Sequence, residues 1–290
     1  SGFASIVTNT VLNYALIFGK LGCPAMGVKG AALATVISAA VSMGMNMAFS
    51  YGMHLPAGAR PSEWLRQEKG FAGRFSKTVV PVIFNEGLWG VGTTMYSVFY
   101  GRMGDAAVAA MGVCTTINDL VWVAIFALMN ATAIIVGKAL GAGDRERAYL
   151  YAKRMMAGAV AAGVALGLLV IAVRWPLVNI FSGLSYPVRE KAQFILMLGA
   201  LTIWFRAFNT INIVGVLRSG GDTLFSLCLD VGTLWLVGVT STGLAALVFH
   251  WPLEWVYACT FLEEAVKMAV GIPHFKKRQW MNVLTEQPQG

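Results

Sequence analysis

The chain has 290 residues, 57% of them apolar and only 12% charged, with a mean hydropathy of +0.65. A soluble domain carries about a quarter charged residues, so an ordinary water-soluble globule is excluded. Although the net charge is +8, the basic residues lie in short stretches between apolar runs rather than on a face interleaved with aromatics, which argues against nucleic acid.

Those runs are too continuous for barrel strands, which alternate faces, and open sheets cannot span lipid. The fold class expected is therefore an all-α polytopic membrane protein. Eight apolar segments follow in order, at about 3–19, 27–51, 79–100, 106–137, 155–180, 192–217, 224–249 and 253–275. The chain opens with Ser1, Gly2 and Phe3 already inside an apolar run, with no initiator Met and no signal peptide, so a further upstream part is expected. The longest polar connection, His54 to Lys77, contains Pro56 and Pro61 and separates two helices from the following six. Cys23, Cys114, Cys228 and Cys259 are far apart and show no metal-ligand spacing, so they read as small buried apolar residues.

The third segment, VVPVIFNEGLWGVGTTMYSVFY, carries Asn85 and Glu86 near its middle. A carboxylate at membrane depth costs a few kcal/mol or more unless it faces a polar interior. Glu86 is thus either a functional group or one satisfied by a neighbouring helix.

If the loops alternate sides, one side holds fourteen Lys and Arg and the other six, with Arg206 and Lys267 inside segments. The richer side is expected to be cytoplasmic, which puts the C-terminus inside. Measured from the cytoplasmic ends at 1.5 Å per residue, Glu86 lies about 11 Å deep, Asp230 about 9 Å and Arg206 about 17 Å. Asp119, with Asn118 beside it, enters from the outer side and reaches a similar level, about 20 Å along its segment. A shared interior cavity would account for such a polar layer. Lys267 stands four residues after Glu263 and three after Glu264, so the ammonium is expected to pair locally, with one Glu left over.

Two turns carry recognisable patterns. In GKALGAGDRERA, residues 137–148, Gly141 and Gly143 suit a tight turn and Asp144 suits an N-cap. Arg218 to Thr223 reads RSGGDT, and Pro24 to Thr35 reads PAMGVKGAALAT. Together, in the order 24–35, 137–148 and 218–223, the three stretches resemble motifs that recur in the multidrug and toxic compound extrusion (MATE) transporters. The resemblance implies two six-helix lobes around a cavity that opens to alternate sides. Residues 1–53 would be the last two helices of the N-terminal lobe, 54–78 the cytoplasmic inter-lobe linker, 79–275 the complete C-terminal lobe and 276–290 a cytoplasmic tail. Four further helices, about 130–170 residues, are then expected upstream.

The same resemblance places Glu86 where sodium-coupled members carry a membrane carboxylate, a possible Na⁺ ligand. It likens Asp222 to another acidic position implicated in some members, although a structural cap would also explain that residue. The function implied is efflux of amphipathic, cationic organic compounds in exchange for Na⁺ or H⁺, with no cofactor. The protein would be a monomer when full length, embedded in the lipid of a bacterial cell membrane. Trp89, Met95, Phe126, Met129, Trp204 and Phe205 are either adaptable apolar walls or ordinary packing. A lipid-linked oligosaccharide flippase of the same superfamily is the alternative, but phosphates need a basic cavity, and one intramembrane Arg among several acids favours cationic cargo. An intramembrane enzyme would need a catalytic set, and neither HExxH nor DDxxD occurs. Nothing in the chain resembles the selectivity filter of a channel.

Overall fold

The computed structural model describes residues 2–53, 71–181 and 183–282. Among these there is no strand, and the polypeptide forms two compact units, 1–72 and 73–290.

In the first unit α1 (Gly2–Phe18) packs on α2 (Val28–Gly52). Their contact is close because residue 30 is glycine: a Cβ there would lie 2.6 Å from the Leu16 carbonyl oxygen. Ser5 Oγ donates to the Ser38 carbonyl and Asn9 Nδ2 to Ser38 Oγ, so the pair is tied by polar groups as well. Such bonds suit helices in lipid, where apolar burial supplies little association energy.

The second unit contains α3 (Phe71–Arg102), α4 (Asp105–Gly141) and α5 (Arg145–Asn179). Next comes α6 (Tyr186–Thr210), which continues without a break as a π-helical stretch, Ile211–Arg218. The next rod is composite: α7 (Thr223–Thr233), π-helical Leu234–Val239, α8 (Thr240–Gly243) and π-helical Leu244–Val248. The last helix is α9 (Leu253–Lys276). The eight apolar segments therefore correspond to eight helical rods. Five of them, Val28–Gly52, Asp105–Gly141, Arg145–Asn179, Tyr186–Arg218 and Thr223–Val248, are long and apolar enough to cross a membrane by length and composition. This is an all-α polytopic membrane fold.

Small residues decide how the rods pack. Along α5 the buried positions Ala148, Ala152, Met156, Ala159, Gly163 and Gly167 recur every three or four residues, and all but Met156 are small. Helix α6 lies on this face so closely that a Cβ on Gly163 would strike the Trp204 backbone, and one on Gly167 the Ala200 carbonyl. Large apolar side chains point the other way, with Leu168, Leu169, Leu120 and Leu236 all exposed. This arrangement, small inside and large outside, is what lipid favours.

The buried apolar residues form two clusters. One gathers Phe99, Ala107, Val178, Ile195, Leu253 and Val256 from the helix ends around Gly104 and Phe249. The other gathers Val136, Leu140, Ala148, Val216, Phe275 and Trp280 at the opposite ends. On α9, Tyr257 and Cys259 belong to the first cluster and Phe275 to the second, with Glu263, Glu264 and Lys267 between them. The charges therefore occupy a middle layer with apolar packing above and below.

In the turn after α4 only one of the two expected glycines uses its freedom. Gly143 sits at φ +77°, whereas Gly141 is the last residue of α4. Asp144 does cap α5, accepting a bond from the Arg147 amide at 3.0 Å. The cysteines differ from expectation: Cys114 and Cys259 are buried, Cys23 is half-buried, and Cys228 is exposed on a lipid-type face of α7. An exposed thiol is tolerated there because that face is apolar surroundings rather than water. Most of the connection His54 to Lys77 lies outside the described residues, but its end, from Phe71 on, is already helix α3.

Candidate functional site

Five charged side chains of the second unit form one chain of contacts across four rods. Glu86, on α3, receives a bond from Arg218 Nη1 at 2.6 Å. The other terminal nitrogen, Nη2, donates to Asn85 Oδ1 at 2.6 Å and stands 3.8 Å from Asp230 Oδ2. Asp230, on α7, presents its second oxygen to Lys267 Nζ at 2.9 Å. Lys267 also reaches Glu263 Oε1 at 3.4 Å, and Glu263 Oε2 accepts from the Tyr96 hydroxyl at 2.7 Å. The sequence Glu86–Arg218–Asp230–Lys267–Glu263–Tyr96 thus begins and ends on α3.

Local structure puts each group in place. Helix α3 docks on the π-helical stretch 234–239: Trp235 Nε1 donates to the Leu88 carbonyl, and Gly92 leaves room for Leu234. Gly238, in the same stretch, leaves the space that the Glu263 carboxylate and the Tyr96 hydroxyl share, since a Cβ would collide with both. Arg218 is the last residue of the π-helical stretch 211–218, a wide turn of the kind that clusters at functional sites.

The site has a direction. Asp230, Glu263 and Lys267 are buried, Lys267 with only 5% of its side chain exposed, whereas the Glu86 side chain is 58% exposed. The chain of contacts holds three carboxylates against two cations, a formal surplus of one negative charge with all five groups ionised, and its exposed end is Glu86. Two buried polar atoms beside that end, Asn85 Nδ2 and Arg218 Nε, have no hydrogen-bond partner among the described residues.

A second pairing lies next to it. Arg206 Nε stands 3.8 Å from Glu264 Oε1 with its guanidinium 5.1 Å above the Trp122 ring, and Asn209 Nδ2 donates to Glu264 Oε2 at 2.7 Å. The acidic pair on α9 therefore divides. Glu263 does pair with Lys267 one turn on, as expected, but the closer partner of Lys267 is Asp230. Glu264 turns to Arg206 and Asn209 on α6. Local spacing understated this cluster because a helix 24 residues long, packed on several rods, offers its charges cross-helix partners at shorter range.

The structure thus brings together Glu86, Asn85 and Asp230, and holds Arg206 of α6 against Glu264, the neighbour of Glu263 on α9. It does not bring Asp119 to them: that carboxylate is exposed and has no ion pair among the described residues. Asn118 is half-buried, within reach of the Tyr257 hydroxyl in the first apolar cluster. Depth along a helix carries no azimuth, which is why a shared level did not mean a shared site.

Asp222 is elsewhere again. It stands at the N-cap position of α7, yet its carboxylate makes no cap bond and instead meets His274 Nε2 at 2.6 Å, with Phe225 stacked on the imidazole. Of the apolar candidates, Trp89 and Phe126 are exposed, Met129 packs against the second cluster, and Trp204 packs its backbone on Gly163. Sequence reasoning passed over Arg218, assigned to a loop, and Trp280, assigned to a tail. Trp280 is fully buried under the Gly220 turn, donating to the Phe275 carbonyl, and the Asn282 amide bonds the Gly220 carbonyl at 2.9 Å. A tryptophan four residues beyond a membrane helix was the available signal.

Comparison with known proteins agrees with the motifs. The MatE family model matches residues 81–242. A probable multidrug resistance protein NorM of Thermotoga maritima is 25% identical over 230 residues, 78% of this chain and 48% of that protein. The multidrug resistance protein MdtK of Yersinia pseudotuberculosis is 27% identical over 259 residues, 85% of this chain and 54% of that protein. The chain spans about half the length of the curated relatives it matches. Among solved structures, the Vibrio cholerae MATE transporter VcmN superposes with a TM-score of 0.81 at 15% identity, over 97% of this chain and 62% of that one. A MOP superfamily transporter from Pyrococcus furiosus gives 0.80 at 17% identity, over 98% and 62%. With the family model covering more than half of its length, the chain belongs to the MatE family of multidrug and toxic compound extrusion transporters.

Proposed function

We propose that the protein exports amphipathic organic cations in exchange for Na⁺ or H⁺, with Glu86 as the carboxylate at which the cations exchange. The observation that carries this reading is the unbalanced charge chain with its one open carboxylate. The accessible end of that chain is a carboxylate held by a side-chain cation, Arg218, which an incoming cation can replace, and the surplus of carboxylates over cations keeps the site favourable to positive charge. Asp230 and Glu263 share Lys267 and leave the interior formally one negative charge over, which holds the Arg218 guanidinium in the network beside Glu86. The names of the NorM and MdtK relatives, both multidrug resistance proteins, support an organic cargo. An anionic cargo such as a lipid-linked phosphate would meet the wrong sign of charge here.

The expected residence is a bacterial cell membrane with the C-terminus inside, and the linker between the two units would lie on the cytoplasmic side. The test is Glu86→Gln in proteoliposomes carrying the full-length protein. Because the amide keeps the shape and removes the charge, the variant is expected to insert like wild type and to lose efflux driven by either gradient. Glu86→Asp, with the charge one methylene further back, keeps part of the activity. Wild-type rates for Glu86→Gln under both gradients would end the proposal.

A further inference from the structure

Resting on that reading, we infer that Arg218 is a tethered cation that occupies Glu86 when the site is empty and withdraws to Asp230 when a cation arrives. Three features of its placement carry this. The guanidinium sits between two carboxylates and is bound tightly to only one: 2.6 Å to Glu86, 3.8 Å to Asp230. The nearer partner is the exposed one and the farther is buried, so the contact that an incoming cation can reach is the one Arg218 now makes. The third feature is that its hold is incomplete. Nε is buried without a partner among the described residues, and Nη2 is spent on the neutral oxygen of Asn85.

An arginine presents five N–H donors in a fork, so a small swing that brings Nη2 to Asp230 exchanges one carboxylate for another without leaving the charge bare. The backbone permits it. Arg218 ends a π-helical turn and is followed by Ser219, Gly220 and Gly221, the last at φ +82°. Asp230 receives the guanidinium while its other oxygen stays with Lys267. Each monovalent cation that binds therefore displaces an internal one. That competition lowers the affinity of Glu86 and speeds release, which an exchanger needs more than tight binding.

The experiment uses the detergent-purified full-length protein with two probes, Na⁺ and tetraphenylphosphonium, read by calorimetry and by the fluorescence of Trp89 one turn from Glu86. The probe that reports the site is the one whose binding Glu86→Gln abolishes. For that probe Arg218→Gln is expected to bind about tenfold tighter, equivalent to about 1.4 kcal/mol, while proteoliposome efflux shows a lower KM and a lower kcat. Asn85→Ala removes only the neutral anchor of Nη2 and is expected to tighten binding by a smaller factor. It decides the matter if Arg218→Gln does not fold. Unchanged or weaker affinity in the folded variants overturns the inference while leaving Glu86 as the exchange site. Binding of both probes that survives Glu86→Gln overturns the reading beneath it as well.

Discussion

Lys267 is a cation almost sealed from its surroundings between Asp230 and Glu263, and its removal takes the nearest cation from two buried carboxylates at once. Breaking a buried pair costs about 3–5 kcal/mol, so Lys267→Met is expected to lower the melting temperature and the yield of monodisperse protein far more than Lys276→Met at the exposed helix end. Gly238 makes a sharper case. A methyl group there overlaps both Glu263 and Tyr96, so Gly238→Ala must part a hydrogen bond to a charged group, worth about 1.5–3 kcal/mol. Tyr96→Phe removes the same bond without the collision. The double variant is then expected to lose less than the sum of the two, because its members share one interaction. Strict additivity in thermal unfolding would show that Gly238 acts through something other than this bond. Little of this is legible in the sequence. The spacing of Glu263, Glu264 and Lys267 announces a charged patch on α9, but Asp230, Tyr96 and the glycine that leaves room for the Glu263–Tyr96 contact are separated from it by tens to over a hundred residues.

Element by element the sequence is a good guide to existence and a poor one to extent. All eight apolar runs correspond to helical rods, yet α5 begins ten residues before its apolar run, because RERAYLYAKR continues the helix with charged residues that an apolar run does not count. Hydropathy also cannot show the π-helical stretches, since widening a turn changes which neighbours a side chain meets and leaves composition untouched. Small-residue stripes are more legible: Gly163 and Gly167 are four apart and lie on the Ala148–Ala159 line. Because α6 touches both glycines through its backbone, neither helix can yield by moving a side chain. Gly163→Leu is expected to separate α5 from α6 and abolish folding, whereas Leu168→Ala, on the exposed face of α5, should change stability by less than about 0.5 kcal/mol. Equal melting temperatures for the two variants in detergent would contradict the packing argument.

At the scale of the molecule the two apolar clusters define two ends, and the charge layer between them fits a membrane only in one of two orientations. The end formed by the Gly143 turn, the Gly220 turn and residues 276–282 carries Lys138, Arg145, Arg147, Arg278 and their neighbours. There Arg278 pairs with Glu146 and lies 4.2 Å over the Tyr149 ring, so the chain after α9 is fastened to the start of α5. The opposite end carries Arg102, Arg174, Arg189 and Lys191 and fewer basic residues in all. Basic loops stay inside, so the Gly143 end is expected to be cytoplasmic. Single cysteines read this out in a background lacking Cys23, Cys114, Cys228 and Cys259. Ala142 is exposed at φ −81° and accepts a cysteine without strain. At the other end Gly104 is a poor site, because its φ of +103° disfavours any side chain, whereas Ala106 in the exposed first turn of α4 is suitable. An impermeant thiol reagent applied to intact cells is expected to label Ala106→Cys and spare Ala142→Cys, and to label both once the membrane is opened. The reverse pattern would invert the molecule, place Glu86 nearest the outer surface, and require the Arg218 exchange to face the opposite compartment.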